Sequence, residues 1–236
     1  MLGRHCTENR PPLSSDTRSG DQLQQIGALN AYVSGERNSS LAVLLISDIY
    51  GFEAPKLRKL ADKVASSGFL VVVPDFFNGD PFKEENNMQE WISNHKPGNS
   101  IEDAKNVIAE LRSGGVLKLG AAGFCWGGIL VVSLAKFDCI QAAVLLHPGP
   151  ISVEKINEVT TPMAILGAEF DEYSPPELLI QLGEVLSANQ IDNYVKIYPG
   201  VKHGWTTRYD DNDKFAVQSA EEAHSDKLKW FIKYLK

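Results

Sequence analysis

The chain has 236 residues, 43% of them apolar and 22% charged, and 23 Lys and Arg against 30 Asp and Glu leave a formal net charge of −7. That is an ordinary globular balance at a length that supports one domain with a substantial core. The acidic surplus argues against a nucleic-acid partner, and no apolar run approaches the roughly 18 residues that would cross a bilayer.

Residues 1–20 are rich in Pro, Ser, Arg and Asp without periodicity, and read as a flexible leader ahead of a single domain over 21–236. Arg4, His5, Glu8 and Pro11-Pro12 leave no apolar signal core. Three cysteines, Cys6, Cys125 and Cys139, are too few and too irregularly spaced for a disulfide framework or a zinc site. A reduced, cytoplasmic setting with neither metal nor cofactor is expected, as a monomer or weak homodimer.

Residues 22–34 read as a short strand or hairpin. Leu41 to Ile46 is a continuous apolar run, the mark of a strand buried on both faces, and it stops at Ser47-Asp48-Ile49-Tyr50-Gly51. Pro55 opens a helix whose Leu57, Leu60, Ala61, Val64 and Ala65 share one face. Gly68 ends it, and Phe69 to Val73 is the next buried strand, closed by Pro74-Asp75. Strand–helix–strand steps of this kind predict an α/β fold: a mostly parallel sheet with helices on both faces.

The rhythm lapses over residues 76–99, read as a long loop with one short helix around Met88 to Ile92. A loop of that length is either a cover over a site or a plain surface excursion. From Ser100, a candidate cap, Ile101, Ala104, Val107, Ile108 and Leu111 make a helix. Strands follow at Leu117–Gly123, Gln141–Leu146, Pro162–Gly167 and Tyr194–Tyr198. Helices are expected over Trp126–Lys136, Pro176–Ser187 and about Lys214–Leu235.

At the junction of the first of those strands and its helix stands Gly123-Phe124-Cys125-Trp126-Gly127-Gly128. Gly-x-Cys-x-Gly between a strand and a helix is the layout of a nucleophile elbow, with cysteine in place of serine. The flanking glycines are small because other segments pass close by, and the helix N-terminus favours a thiolate. By itself the pattern also fits a buried cysteine in a tight turn.

A cysteine nucleophile needs a base and a carboxylate to orient that base. Asp171 follows the apolar run Met163 to Gly167, and His203 follows the strand ending at Tyr198, so the chain order is nucleophile, acid, histidine. All three then sit at strand C-termini on one sheet edge. Glu169 and Glu172 compete with Asp171; His147 ends a strand on the correct edge but precedes any candidate acid. His5, His95 and His224 fall in the leader, the long loop and the last helix, where surface roles are expected. Asp48 follows the first buried strand, where an oxyanion-hole loop belongs, and the backbone N–H groups of Ile49 and Trp126 are the natural pair to hold an oxyanion. Asp48 itself could accept from the Cys125 thiol, bind the His203 imidazolium, or serve as a turn residue.

With these segments together, the chain resembles the dienelactone hydrolase (carboxymethylenebutenolidase) family of α/β-hydrolases, from about residue 25 onward and in the wording of its plant-type members. The segments that carry the likeness are Ile46–Gly51, Val73–Phe77, Gly123–Gly128, Gly167–Asp171 and His203-Gly204-Trp205. The resemblance implies a Cys125–His203–Asp171 triad that cleaves a small lactone or ester through a thioester. Tyr50, Phe76, Asn78, Trp205 and Arg208 become candidate substrate contacts. Bacterial members carry a glutamate where Asp48 stands, and an arginine where Asn78 stands; Arg208 is offset by about one residue from a second family arginine. The altered positions leave a second reading, a lactone-binding, receptor-like protein with little turnover. A glucanase reading would need a carboxylate pair flanking the scissile bond, and the sequence shows none.

Overall fold

The computed structural model describes Pro11 and residues 23–236, so the expected leader over 1–20 lies, Pro11 apart, outside the described residues. Eight strands form one sheet: β1 (Leu23–Ile26), β2 (Leu29–Ser34), β3 (Leu41–Ile46), β4 (Leu70–Pro74), β5 (Lys118–Phe124), β6 (Ala142–Leu146), β7 (Met163–Phe170) and β8 (Asn193–Lys202). Seven helices accompany them: α1 (Pro55–Ala65), α2 (Met88–Asn94), α3 (Ile101–Ser113), α4 (Trp126–Leu134), α5 (Val153–Asn157), α6 (Pro176–Ala188) and α7 (Lys214–Leu235).

The spatial order is β1-β2-β4-β3-β5-β6-β7-β8, with β1 and β2 antiparallel and the six strands from β4 to β8 parallel. The two-sided apolar runs explain this arrangement. In β3, Leu44 and Ile46 face one core with α3, α4 and α6, while Val43 and Leu45 face the other with α1 and α7. Neither face can meet water, so helices must cover both. Helix α1 presents Leu57, Leu60, Ala61 and Val64 to the sheet. At about 2 kcal/mol for each large apolar side chain buried, this packing outweighs the marginal stability of an isolated 11-residue helix.

The chain leaves β3 for β4 on one side and returns to β5 on the other. A crevice beyond the strand C-termini at such a switch point is where doubly wound sheets place their sites. Asp48 follows β3, Cys125 follows β5, His147 follows β6, Asp171 follows β7 and His203 follows β8.

Three local expectations change. Ser100 makes no side-chain cap on α3, because it ends a 3-10 turn (Pro97–Ser100) that runs directly into the helix with φ −93° and ψ 3°, not the extended backbone a capping hydroxyl needs. Strand β8 continues through Pro199 to Lys202, permitted because it is an edge strand and because a register shift at Ala168/Phe170 absorbs the irregularity. Helix α5 appears where no periodicity announced it. None of the described helices is long and apolar enough to cross a membrane.

Candidate active site

Cys125 is the last residue before α4, with φ 49° and ψ −110°, a region that L-residues rarely adopt. The fold over-determines this strain. The Cys125 N–H donates to Leu146 O (3.2 Å), and its carbonyl accepts from Gly128 and Gly149 (3.0 and 2.9 Å). A Cβ at Gly123 would strike the Gly127 backbone, and one at Gly127 would strike Ile46 and Ser47, so the elbow closes only with glycine at both positions. Cys125 is 4% exposed, and the first N–H groups of α4 have no intrahelical acceptor by helix geometry.

His203 Nδ1 lies 2.7 Å from Asp171 Oδ2, and both side chains are fully buried. The other carboxylate oxygen, Oδ1, accepts the Tyr173 and Ser174 N–H groups at 2.9 and 3.2 Å. Ser174 Oγ in turn donates to Gly149 O (3.1 Å), tying the acid loop to the turn after β6. Of the three acidic residues in this stretch, Asp171 is buried against the histidine, whereas Glu169 and Glu172 are exposed and Glu169 accepts the Gly200 N–H.

Asp48 is buried and acts as a turn residue and an ion-pair partner. Its Oδ1 accepts the Tyr50 N–H (3.0 Å); its Oδ2 lies 3.4 Å from both Thr207 Oγ1 and Arg208 Nε. Arg208 is 4% exposed, its guanidinium packed against Gly204 (φ +91°) and over the Tyr50 ring at 5.6 Å. Sequence reasoning placed Arg208 among possible substrate contacts but did not foresee its pairing with Asp48. The signal available was Gly204: only a residue without Cβ lets that guanidinium lie there.

His147 lies beside His203 and bonds Thr206, while the Asp171 carboxylate meets His203. His147 has a backbone φ of 36°, its Nε2 is 2.8 Å from Thr206 Oγ1, and its ring meets His203 edge-on at 5.0 Å. Burial pushes this imidazole well below its usual pKa range, helped by the charges of His203 and Arg208. His224, expected at the surface, is instead 6% exposed, with Nε2 2.9 Å from Thr206 O; burial and then Lys227 hold it well below the usual range as well. One turn further along α7, Lys227 is fully buried, with no hydrogen-bond acceptor among the described residues. Its Nζ lies 5.8 Å from the Phe124 ring, the outer limit of a cation–π contact, whereas burial drives the amine far down toward neutrality. Desolvation is the larger effect, and it disfavours the charged amine.

Residues 76–99 fold over the elbow. Phe76 and Phe77 pack on Trp126 at 6.4 and 4.8 Å, and Tyr50 meets Phe82 at 6.4 Å. Asn78 is not brought in: it is exposed in a turn with φ 52°, its N–H on Asp75 O. His95 stacks on Trp91 at 4.4 Å instead of standing free. A cleft of about 390 Å³ lined by His203, Trp205, Arg208 and Phe215 opens along the β8–α7 connection. Trp205 is 5% exposed and wedged between His147 and Tyr198. Among the described residues no three His, Cys, Asp or Glu gather as a metal site.

A mostly parallel sheet with helices on both faces, a strained residue between β5 and α4, and an acid and a histidine after later strands define an α/β-hydrolase. The dienelactone hydrolase family model matches residues 29–235, and the chain belongs to that family and is a hydrolase of it. It is 40% identical over 186 residues to a maize (Zea mays) protein named endo-1,3;1,4-beta-D-glucanase, a match covering 77% of this chain and 61% of that protein. A carboxymethylenebutenolidase homologue of Xenopus tropicalis is 31% identical over 91% of both chains. A solved structure of a proposed dienelactone hydrolase from Klebsiella pneumoniae superposes with a TM-score of 0.74 at 21% identity, covering 87% of this chain and 93% of that one, which speaks for the fold.

Proposed function

We propose that the chain hydrolyses a small lactone or carboxylic ester with Cys125 as nucleophile, His203 as base and Asp171 holding the base. The observation that carries this is the pairing of a strained, glycine-enclosed Cys125 at the start of α4 with a buried Asp171–His203 couple 2.7 Å apart on the same sheet edge. Asp171 fixes His203 with its proton on Nδ1 and leaves Nε2 as the proton acceptor. Nε2 takes the thiol proton, and the thiolate attacks the carbonyl carbon. The oxyanion so formed is received by the Ile49 and Trp126 N–H groups. Collapse breaks the ester C–O bond; the alkoxide takes the proton from His203, leaving a thioester on Cys125. Water, deprotonated by the same nitrogen, then releases the acid and restores the thiol.

The name of the maize relative raises glycoside hydrolysis as a rival. That reaction needs two carboxyl groups free to flank a glycosidic bond. The buried carboxylates near the sheet edge are otherwise engaged: Asp171 with His203, Asp48 with Arg208, and Asp75 with the Phe77 and Gly79 N–H groups. Cysteine chemistry suits these residues better.

Replacing Cys125 by Ala tests the reading directly. Turnover of p-nitrophenyl acetate and of dihydrocoumarin should drop by at least about 10³-fold, with the melting temperature nearly unchanged. Full activity in that variant would remove Cys125 from the mechanism.

A further inference from the structure

The two proposed oxyanion donors sit on different segments: Ile49 in the loop after β3 and Trp126 at the start of α4. Each is also hydrogen-bonded to the excursion between β4 and α3. Phe82 N–H donates to Ile49 O at 2.8 Å, and Trp126 Nε1–H donates to His95 O at 2.6 Å. Inside the excursion the path is continuous. Trp91 Nε1–H donates to Asp80 O (3.0 Å), and His95 N–H donates to Trp91 O (2.9 Å). Hydrogen bonds, joined through the Asp80-Pro81-Phe82 backbone, therefore connect Ile49 by way of Trp91 and His95 to Trp126.

We propose that the 76–99 excursion is a positioning element of the oxyanion hole, with Trp91 as its keystone and the Trp126 indole and Phe82 N–H as its two anchors. The inference rests on the reading of Ile49 and Trp126 as oxyanion donors. The peptide between Ile49 and Tyr50 is gripped from both sides, its carbonyl by Phe82 and its N–H by Asp48 Oδ1 (3.0 Å). That grip sets the backbone angles of Ile49 and, through them, the direction of its own N–H. At the other end the indole pins the side chain of the residue whose N–H forms the second half of the hole. Oxyanion stabilisation depends on donors aimed in advance at where charge will develop, so a bridge that fixes both donors acts on the transition state and little on substrate binding. It also explains why an excursion of this length is buried against the elbow: Trp91, Phe77, Phe82 and Trp126 are each 5% exposed or less.

The test separates oxyanion formation from thiol reactivity. Trp126→Phe keeps the backbone N–H and an aromatic ring but removes the indole donor. The kcat for p-nitrophenyl acetate should fall about tenfold, the effect of one net hydrogen bond, with KM changed less than about threefold and the fold intact by thermal melting. Alkylation of Cys125 by iodoacetamide, which forms a C–S bond with loss of iodide and develops no oxyanion, should keep its wild-type rate. Trp91→Phe, remote from the hole, should lower kcat about threefold with the same silence in alkylation, and the two losses should not multiply in the double variant because both cut one path. An unchanged kcat in Trp126→Phe overturns the inference, as does an equal fall in hydrolysis and alkylation, which would place the damage in the triad. Hydrolysis that survives in Cys125→Ala would instead sink the underlying catalytic reading, so the two failures are distinguishable.

Discussion

Two buried polar regions meet where the His147 ring faces His203, and they handle charge in opposite ways. On the reacting side, Asp171 pairs with His203 and Asp48 with Arg208, at 2.7 and 3.4 Å. Beside it, His147, His224 and Lys227 are buried with no carboxylate hydrogen-bonded to them among the described residues, and all three are held toward their neutral forms. The difference follows from the residue types. A guanidinium keeps its proton in any protein environment and must be given an anion, whereas imidazoles and amines can shed theirs. The reacting side is therefore stabilised by pairing and the other region by losing charge. The reacting side should fail when one partner is removed, and the other region when protons are restored.

Arg208→Met gives the largest expected effect on stability. It leaves Asp48 buried beside Tyr50 with its cation gone, at a cost of about 3 kcal/mol. Urea denaturation at pH 7 measures it. Combining the change with Asp48→Asn should recover much of the loss, because the uncompensated charge is then absent too. If the double variant is no better than the single one, the ion pair is not what holds these two side chains.

Lys227→Met should change stability in the other direction, raising it by about 2 kcal/mol at pH 7. Burial holds the folded-state pKa of Lys227 well below its ordinary value of about 10.5, so the unfolded chain binds this proton more firmly and the lysine favours unfolding at every pH below that value. The stability gap between variant and wild type should shrink as the pH rises from 7 toward 10. A destabilised variant, or a gap independent of pH, would mean that the amine is charged and satisfied.

The smallest effect is the pH dependence carried by the two neutral imidazoles. Their folded pKa values lie below the unfolded value of about 6.5, so below that pH the unfolded state binds more protons and stability falls as pH drops. Each contributes a slope of up to about 1.4 kcal/mol per pH unit in that window. Denaturation curves between pH 5 and 7 for His147→Gln and His224→Gln should each show the slope reduced by about one proton.

His224 is the sharpest example of what pattern reading cannot reach. The last helix was expected over about Lys214–Leu235, and its bounds coincide with that range. Yet His224 read as a surface residue, because its type is polar and its burial depends on the loop carrying Thr206 lying over it. Arg208 shows the same limit: its distance along the chain from Asp48 hides a contact made only when β3 and the segment after β8 reach one sheet edge. The role of residues 76–99 was open between cover and surface excursion, since its anchoring groups include backbone carbonyls and N–H groups that every residue carries.

Local chemistry carried the rest. The two-sided apolar runs demanded a sheet covered on both faces, and glycines at 123 and 127 marked an elbow that nothing larger can close. Asp171 and His203 each stand just beyond a strand, so chain order alone placed them on the edge that Cys125 occupies. Those features are written in short stretches of sequence because the forces behind them, burial of apolar faces and contact between backbone segments, act over a few residues. Which carboxylate meets the histidine, which cation neutralises Asp48, and what braces the Gly123–Gly127 turn were decided by tertiary packing. Each depends on two distant segments sharing a volume from which water is excluded, and there every polar group must be paired, neutralised or pinned.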